Sequence, residues 1–294
     1  MTADAPPDWF VRNMAAAPEV GRVEVEGAGI ETLAWGPRGA PGVLLLHGYA
    51  GHAGWWRFTA PFLAERRRVV AMSWSGMGGS DRREAYSFSI YAKEALAVAR
   101  AEGLYEAGPP VLVGHSFGSV AMLLAAARHP DAMRAVIAVD TTLLPTQRVR
   151  ERPQAAPGER VFPSIEAARS RFKLSPPANA AAPYVLDVML EGALGPAPAG
   201  EGEGLTWRLD PQLGQRMITE NVAAETAAIT SPLTFLWGED SDISTPEGKA
   251  WLCKRLPPQA RHATIPGAGH HVMLDQPLAL TAALRTLLAV PSPA

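Results

Sequence analysis

The chain has 294 residues, of which 47% are apolar and 19% charged, a soluble globular composition with room for one large α/β domain or two small ones. A net charge of -2 and a pI of about 6.4 exclude a global field that would draw it to nucleic acid or anionic lipid. One cysteine, Cys253, excludes an internal disulfide and fits a reducing compartment.

The opening stretch MTADAPPDWFVRNMAAAPEV has no basic segment followed by an apolar core, so no export signal is expected. No run approaches the ~20 apolar residues of a membrane span, and a cytoplasmic protein is expected. RVEVEG (22–27) and IETLAWG (30–36) alternate at period two and predict an antiparallel strand pair. GVLLLH (42–47) is continuously apolar, as a strand buried on both faces should be. WWRFTAPFLAERR (55–67) reads as an amphipathic helix and RVVAMSW (68–74) as a second buried strand. SIYAKEALAVARAEG (89–103) predicts a helix closed by Gly103. PPVLVGH (109–115) is a strand, 117–129 a helix and RAVIAVD (134–140) a strand.

From Thr141 to about Pro211 the pattern dissolves into Pro- and Arg-rich pieces. That is too long for a plain connection, and a lid over a cleft is the expected use. PQLGQRMITENVAAETAAI (211–229) reads as helical. PLTFLWG (232–238) resumes the strands, and TPEGKAWLCKRL (245–256) is a helix. ARHATIPG (260–267) is the last strand and PLALTAALRTLLAV (277–290) the last helix. Strands alternating with helices predict a mostly parallel sheet covered on both faces.

Gly114-His115-Ser116-Phe117-Gly118 sits between a predicted buried strand and a predicted helix. A sharp turn there would force Ser116 into strained dihedrals and lift its hydroxyl above the sheet edge. It would also leave the Phe117 N–H at a helix N-terminus, where an anion is welcome. The plainer reading is a serine capping its helix.

A serine nucleophile needs a base and an orienting acid. His270, directly after the glycine turn of IPGAGHH, is the expected base and His271 the lesser alternative, more simply packed beneath the loop. The WGEDSDI loop offers three carboxylates. Asp242 is the expected acid and Asp240 the runner-up, with Glu239 solvated and Asp140 a third candidate that would more simply brace the lid entry. The loop LHGYAG (46–51) can aim the Tyr49 N–H beside that of Phe117 as a second oxyanion donor. Met77 and Met273 flank these positions, Trp55 follows the LHGYAG loop and Trp207 stands where a lid would return to the core; all four are candidate walls of an apolar pocket, and Trp207 is equally an anchor for the lid. The Gly-rich stretch SGMGGSD (75–81) lacks the lysine and spacing of a phosphate loop and reads as a structural turn.

Together these motifs resemble the α/β-hydrolase superfamily over nearly the whole chain. The resemblance implies an α/β fold with an eight-stranded, mostly parallel sheet flanked by helices. Residues 1–140 and 212–294 would form the core, with a lid inserted at 141–211. It implies an acid on the WG loop, which here is one residue longer than the commonest form, so Asp240 stays open. The expected activity is carboxylic-ester hydrolysis through an acyl-enzyme, with no metal and no cofactor. A small ester or acyl compound would be the substrate, with neither nucleic acid nor membrane as partner, and a homodimer is left open. The same triad also serves carbon–carbon hydrolases and perhydrolases or haloperoxidases, and the fold has non-catalytic receptors, which usually lose triad members. Epoxide and haloalkane hydrolases are disfavoured, because their elbow carries aspartate where this chain has Ser116. Basic residues Arg148, Arg150, Arg152, Arg160, Arg169, Arg171 and Lys173 on the expected lid could steer an anionic acyl substrate, although a solvated, salt-bridged surface is the simpler expectation.

Overall fold

The computed structural model describes residues 5–143, 161–197 and 203–289. The strands are β1 (Glu19–Val25), β2 (Ala28–Trp35), β3 (Gly42–Leu46), β4 (Arg68–Met72), β5 (Val111–His115), β6 (Ala135–Val139), β7 (Leu194–Pro196), β8 (Leu205–Trp207), β9 (Leu233–Gly238) and β10 (Arg261–Ile265). The helices are α1 (Asp8–Ala15), α2 (Ala60–Leu63), α3 (Phe88–Ala101), α4 (Phe117–Arg128), α5 (Ile165–Arg169), α6 (Pro183–Gly192), α7 (Leu213–Arg216), α8 (Pro246–Cys253), α9 (Val272–Asp275) and α10 (Pro277–Ala289).

Eight strands form one sheet in the order β1-β2-β4-β3-β5-β6-β9-β10. β2 pairs antiparallel with both β1 and β4, and all other pairings are parallel. The apolar runs explain why the centre is covered twice. Residues alternate across a strand, so Leu44, Leu46, Val70, Met72 and Leu112 enter one core layer while Val43, Leu45, Val69, Ala71, Val111 and Val113 enter the other. α3 and α4 close the first layer through Tyr91, Ala95, Val98, Val120 and Leu124. α1, α9 and α10 close the second through Phe10, Met273, Leu280 and Leu284.

Two predicted helices differ. Residues 55–67 are not one amphipathic helix but 3-10 turns at Ala53–Trp56 and Ala64–Arg66 flanking α2. Trp55 and Trp56 are both buried, and Pro61 removes a donor needed to join the pieces. Residues 211–229 hold only α7 and two 3-10 turns, with the chain pinned to the core by Tyr86 N–H donating to Arg216 O and Ile218 N–H to Tyr86 O at 3.1 and 2.8 Å. Between β6 and β9, α5 and α6 and the β7–β8 pair gather around a small apolar cluster of Phe162, Ala168, Leu190 and Leu194. Among the described residues no helix is long and apolar enough to cross a membrane.

From β3 the chain crosses to β4 on one side and to β5 on the other. The carboxyl ends of β3 and β5 therefore flank a topological switch point, where open α/β sheets form their clefts. The loops after β3, β5, β6, β9 and β10 all emerge at that edge.

Candidate active site

Ser116 joins β5 to α4 with φ 51° and ψ -117°, a conformation that L residues resist and that persists only when its surroundings impose it. Packing imposes it here. A Cβ on Gly114 would lie 2.8 Å from Ser119 N and Cα, and one on Gly118 would lie 2.5 Å from His47 O. Ser116 N–H donates to Val139 O at 3.0 Å, and Ser119 Oγ–H donates to Gly114 O at 2.6 Å. The Ser116 side chain makes no capping bond to its own helix, which removes the reading of a simple N-cap. Phe117 is the first residue of α4, so its N–H has no carbonyl one turn back to receive it.

The loop after β3 lies against this turn. A Cβ on Gly48 would sit 3.3 Å from Ser116 Cβ and 2.8 Å from His115 Nδ1, so only glycine permits the approach. His47 sets the loop's orientation, a role the sequence reading missed. Its Nδ1–H donates to Gly48 O at 2.6 Å, while its Nε2 accepts from Trp74 N–H at 3.1 Å. Gly51 N–H donates to the same Gly48 carbonyl at 3.1 Å. In a trans peptide the next N–H, that of Tyr49, points opposite to that carbonyl. Full burial pushes the His47 imidazole down to about 3, so it stays neutral and keeps this tautomer. The Tyr49 ring meets the Phe117 ring edge-on at 5.9 Å.

His270 reaches the same edge after β10. Its loop is braced by Gly269 N–H donating to Asp275 Oδ2, Gly267 N–H to Glu239 Oε2 and Asp240 N–H to Ala268 O. Its Nδ1 meets Asp140 Oδ2 at 2.7 Å, with Asp140 fully buried and His270 6% exposed. Asp140 thus takes the position at His270 expected of Asp242, whereas Asp242 and Asp240 are solvent-exposed. The reason lies in strand order. β6 runs between β5 and β9, and Asp140 turns out of its end at φ 41°, a left-handed conformation that aspartate tolerates. Asp140 N–H donates to Leu236 O, and Asp140 Oδ1 accepts from Gly238 N–H at 2.9 Å. On the loop after β9 it is Ser241, not either aspartate, that turns inward, its Oγ 2.6 Å from Asp140 Oδ2.

His271 and His115 are packed against His270 with ring centroids 5.0 and 4.8 Å away. His271 Nε2–H donates to Pro176 O at 2.8 Å, and His115 Nε2–H donates to His270 O at 2.9 Å. Burial holds His271 down at about 4 and His115 well below the ordinary histidine value. One ring nitrogen from each of the three lies within 4.8 Å of the others. A tetrahedral ion with bonds of ~2.0 Å needs nitrogens about 3.3 Å apart, so the rings would have to turn inward to hold a metal. Their existing bonds instead fix the backbone carrying His270.

Trp55 stacks on His115 and meets His271 edge-on, at 6.1 and 5.4 Å between centroids, and so backs the histidines. Met273 is fully buried in the same core layer, and Met77 in the opposite one beside Trp74. Trp207 packs on Phe162 and Phe172 within the β7–β8 cluster. The structure therefore places Trp55, Met77 and Met273 in core packing and Trp207 in an aromatic contact of the segment between β6 and β9. Arg148, Arg150, Arg152 and Arg160 lie outside the described residues, while Arg169 is paired with Asp187.

The family described as alpha/beta hydrolase fold matches residues 41–277. The chain is 26% identical to 2-(acetamidomethylene)succinate hydrolase of Mesorhizobium japonicum over 283 residues, 92% of this chain and 93% of that protein. It is 30% identical to esterase Rv0045c of Mycobacterium tuberculosis over 283 residues, 92% of this chain and 89% of that one. The match to epoxide hydrolase A of M. tuberculosis, at 33% identity, spans 53% of this chain but only 45% of that protein. Among solved structures, E-2-(acetamidomethylene)succinate hydrolase superposes with a TM-score of 0.76 at 22% identity, covering 93% of this chain and all of that one.

Proposed function

Because this chain belongs to the α/β-hydrolase family, we propose that it is a serine hydrolase of carboxylic esters, with Ser116 as nucleophile, His270 as base and Asp140 as the acid. The observation that carries this reading is the bond of 2.7 Å between His270 Nδ1 and a fully buried Asp140, at the sheet edge where the uncapped Ser116 turns out of β5. Asp140 receives Nδ1–H, which leaves Nε2 as the basic nitrogen. His270 takes the Ser116 proton as Oγ attacks the ester carbonyl, then returns it to the departing alcohol. The N–H groups of Tyr49 and Phe117 receive the oxyanion. Water, deprotonated by His270, attacks the acyl-enzyme, and the carboxylic acid leaves with Ser116 restored. No step needs a metal or cofactor, which agrees with the motif set.

Labelling with a fluorophosphonate probe tests the reading. Wild type is expected to be labelled at Ser116 and Ser116→Ala not. An unlabelled wild type, or an equally labelled variant, overturns it. Similarity to 2-(acetamidomethylene)succinate hydrolase across nine-tenths of both chains supports a second reading, in which the same groups act on an acetamido-substituted dicarboxylate. Turnover of that compound against a panel of p-nitrophenyl esters separates the two.

A further inference from the structure

The loop after β9, where the resemblance placed the acid, touches Asp140 through a hydroxyl instead. Ser241 Oγ lies 2.6 Å from Asp140 Oδ2, the same oxygen that His270 Nδ1 meets at 2.7 Å. Ser241 Oγ also accepts from the backbone N–H groups of Ile243 and Ser244, at 3.2 and 3.1 Å. These two amides occupy its lone pairs and leave the O–H a single direction, toward the carboxylate. Asp140 then receives three donors: Gly238 N–H on Oδ1, and Ser241 and His270 on Oδ2. A buried carboxylate free to rotate about its last bond would present either oxygen to the imidazole. Gly238 and Ser241, both on the β9 side, remove that freedom.

We infer that Ser241 is a positioning residue: it fixes the rotation of the Asp140 carboxylate so that Oδ2 faces His270 Nδ1. This rests on the serine-hydrolase reading above.

The test uses the rate of inactivation by a fluorophosphonate probe, which needs no knowledge of the substrate. Ser241→Ala is expected to react about tenfold or more slowly than wild type, as loss of a hydrogen bond to a charged group implies. Ser241→Thr, which keeps the hydroxyl, is expected to stay within about threefold. Asp140→Asn is expected to be far slower, and Ser241→Ala added to it to slow it by less than about threefold more, because no carboxylate is left to orient. Far-UV circular dichroism checks each fold, and if Ser241→Ala is misfolded, Ser241→Cys, which fills the same space with a weak donor, replaces it and is expected to be about tenfold slower than wild type. A Ser241→Ala rate within about twofold of wild type overturns the inference. So does Ser241→Thr as slow as alanine, or a Ser241→Ala penalty as large in Asp140→Asn as in wild type. If Ser116→Ala is still labelled, the serine-hydrolase reading itself has failed, an outcome that the Ser241 variants cannot produce.

Discussion

Asp140 and His270 stand 130 residues apart in the chain and meet at 2.7 Å, carboxylate to imidazole, with the carboxylate fully buried. The contact bridges the end of β6 and the loop after β10, with β9 between them in the sheet. It orders the candidate acids by geometry.

Asp140→Asn is expected to lower kcat by about 10³ to 10⁴, because the amide leaves His270 in the wrong tautomer. Asp242→Asn should change kcat by less than about twofold, since Asp242 is exposed and surface carboxylates contribute little. Steady-state hydrolysis of a p-nitrophenyl ester measures both. The reverse order of effects would mean that the loop after β9 moves to deliver Asp242.

The sequence made the sheet legible because the central strands are continuous apolar runs, and it made the Ser116 turn legible because glycines at 114 and 118 are local turn chemistry. His270 announced itself in the same way, directly after a glycine turn. Asp140 did not, because its relation to His270 depends on which strand lies beside which. Lateral order is set by long-range pairing such as Val136 with Leu233, and no local pattern encodes it. Three carboxylates on one loop drew the expectation to Asp242, while the residue that turns inward there is Ser241. His47 was hidden for the same reason: its partner Trp74 comes from the neighbouring strand's exit. The split of 55–67 was signalled by Pro61, which a count of apolar positions overlooks.

The strained turn predicts an unusual ranking of stability. At φ 51° a side chain costs conformational energy that glycine avoids. Ser116→Gly and Ser116→Ala should both be catalytically dead, but the glycine variant should be the more stable by about 1 kcal/mol. Urea midpoints at equal m-values measure the difference. An alanine variant as stable as glycine would show that the elbow is relaxed.

Gly48→Ala tests the approach of the β3 loop to the elbow. The added methyl would press on His115 Nδ1 at 2.8 Å and Ser116 Cβ at 3.3 Å, so the loop must retreat and carry the Tyr49 N–H with it. Loss of one oxyanion donor is worth about 10²-fold in kcat, with KM little changed because the donor acts on the developing charge. A rise in KM at constant kcat would assign the loop to ground-state binding instead.

Four buried histidines give the protein a pH-dependent stability with a definite sign. Burial pushes His47 down to about 3 and both His52 and His271 to about 4, and holds His115 well below its ordinary value. In the unfolded chain all four titrate near ~6.5. As pH falls from there toward 4, the unfolded state binds protons that the folded state refuses, so stability is present above the unfolded value and lost on acidification. The loss is about 1.4 kcal/mol per pH unit for each histidine as an upper bound. Thermal melts at pH 7.5, 6 and 5 should therefore show Tm falling progressively below about 6.5. His52→Gln should flatten the slope by roughly one proton, since His52 is buried against α6 and its Nε2–H reaches Met189 O at 3.0 Å. A Tm that stays level between pH 6.5 and 5 would mean that water reaches these imidazoles and that their neutral tautomers, on which the orientation of the β3 loop depends, are not enforced by burial.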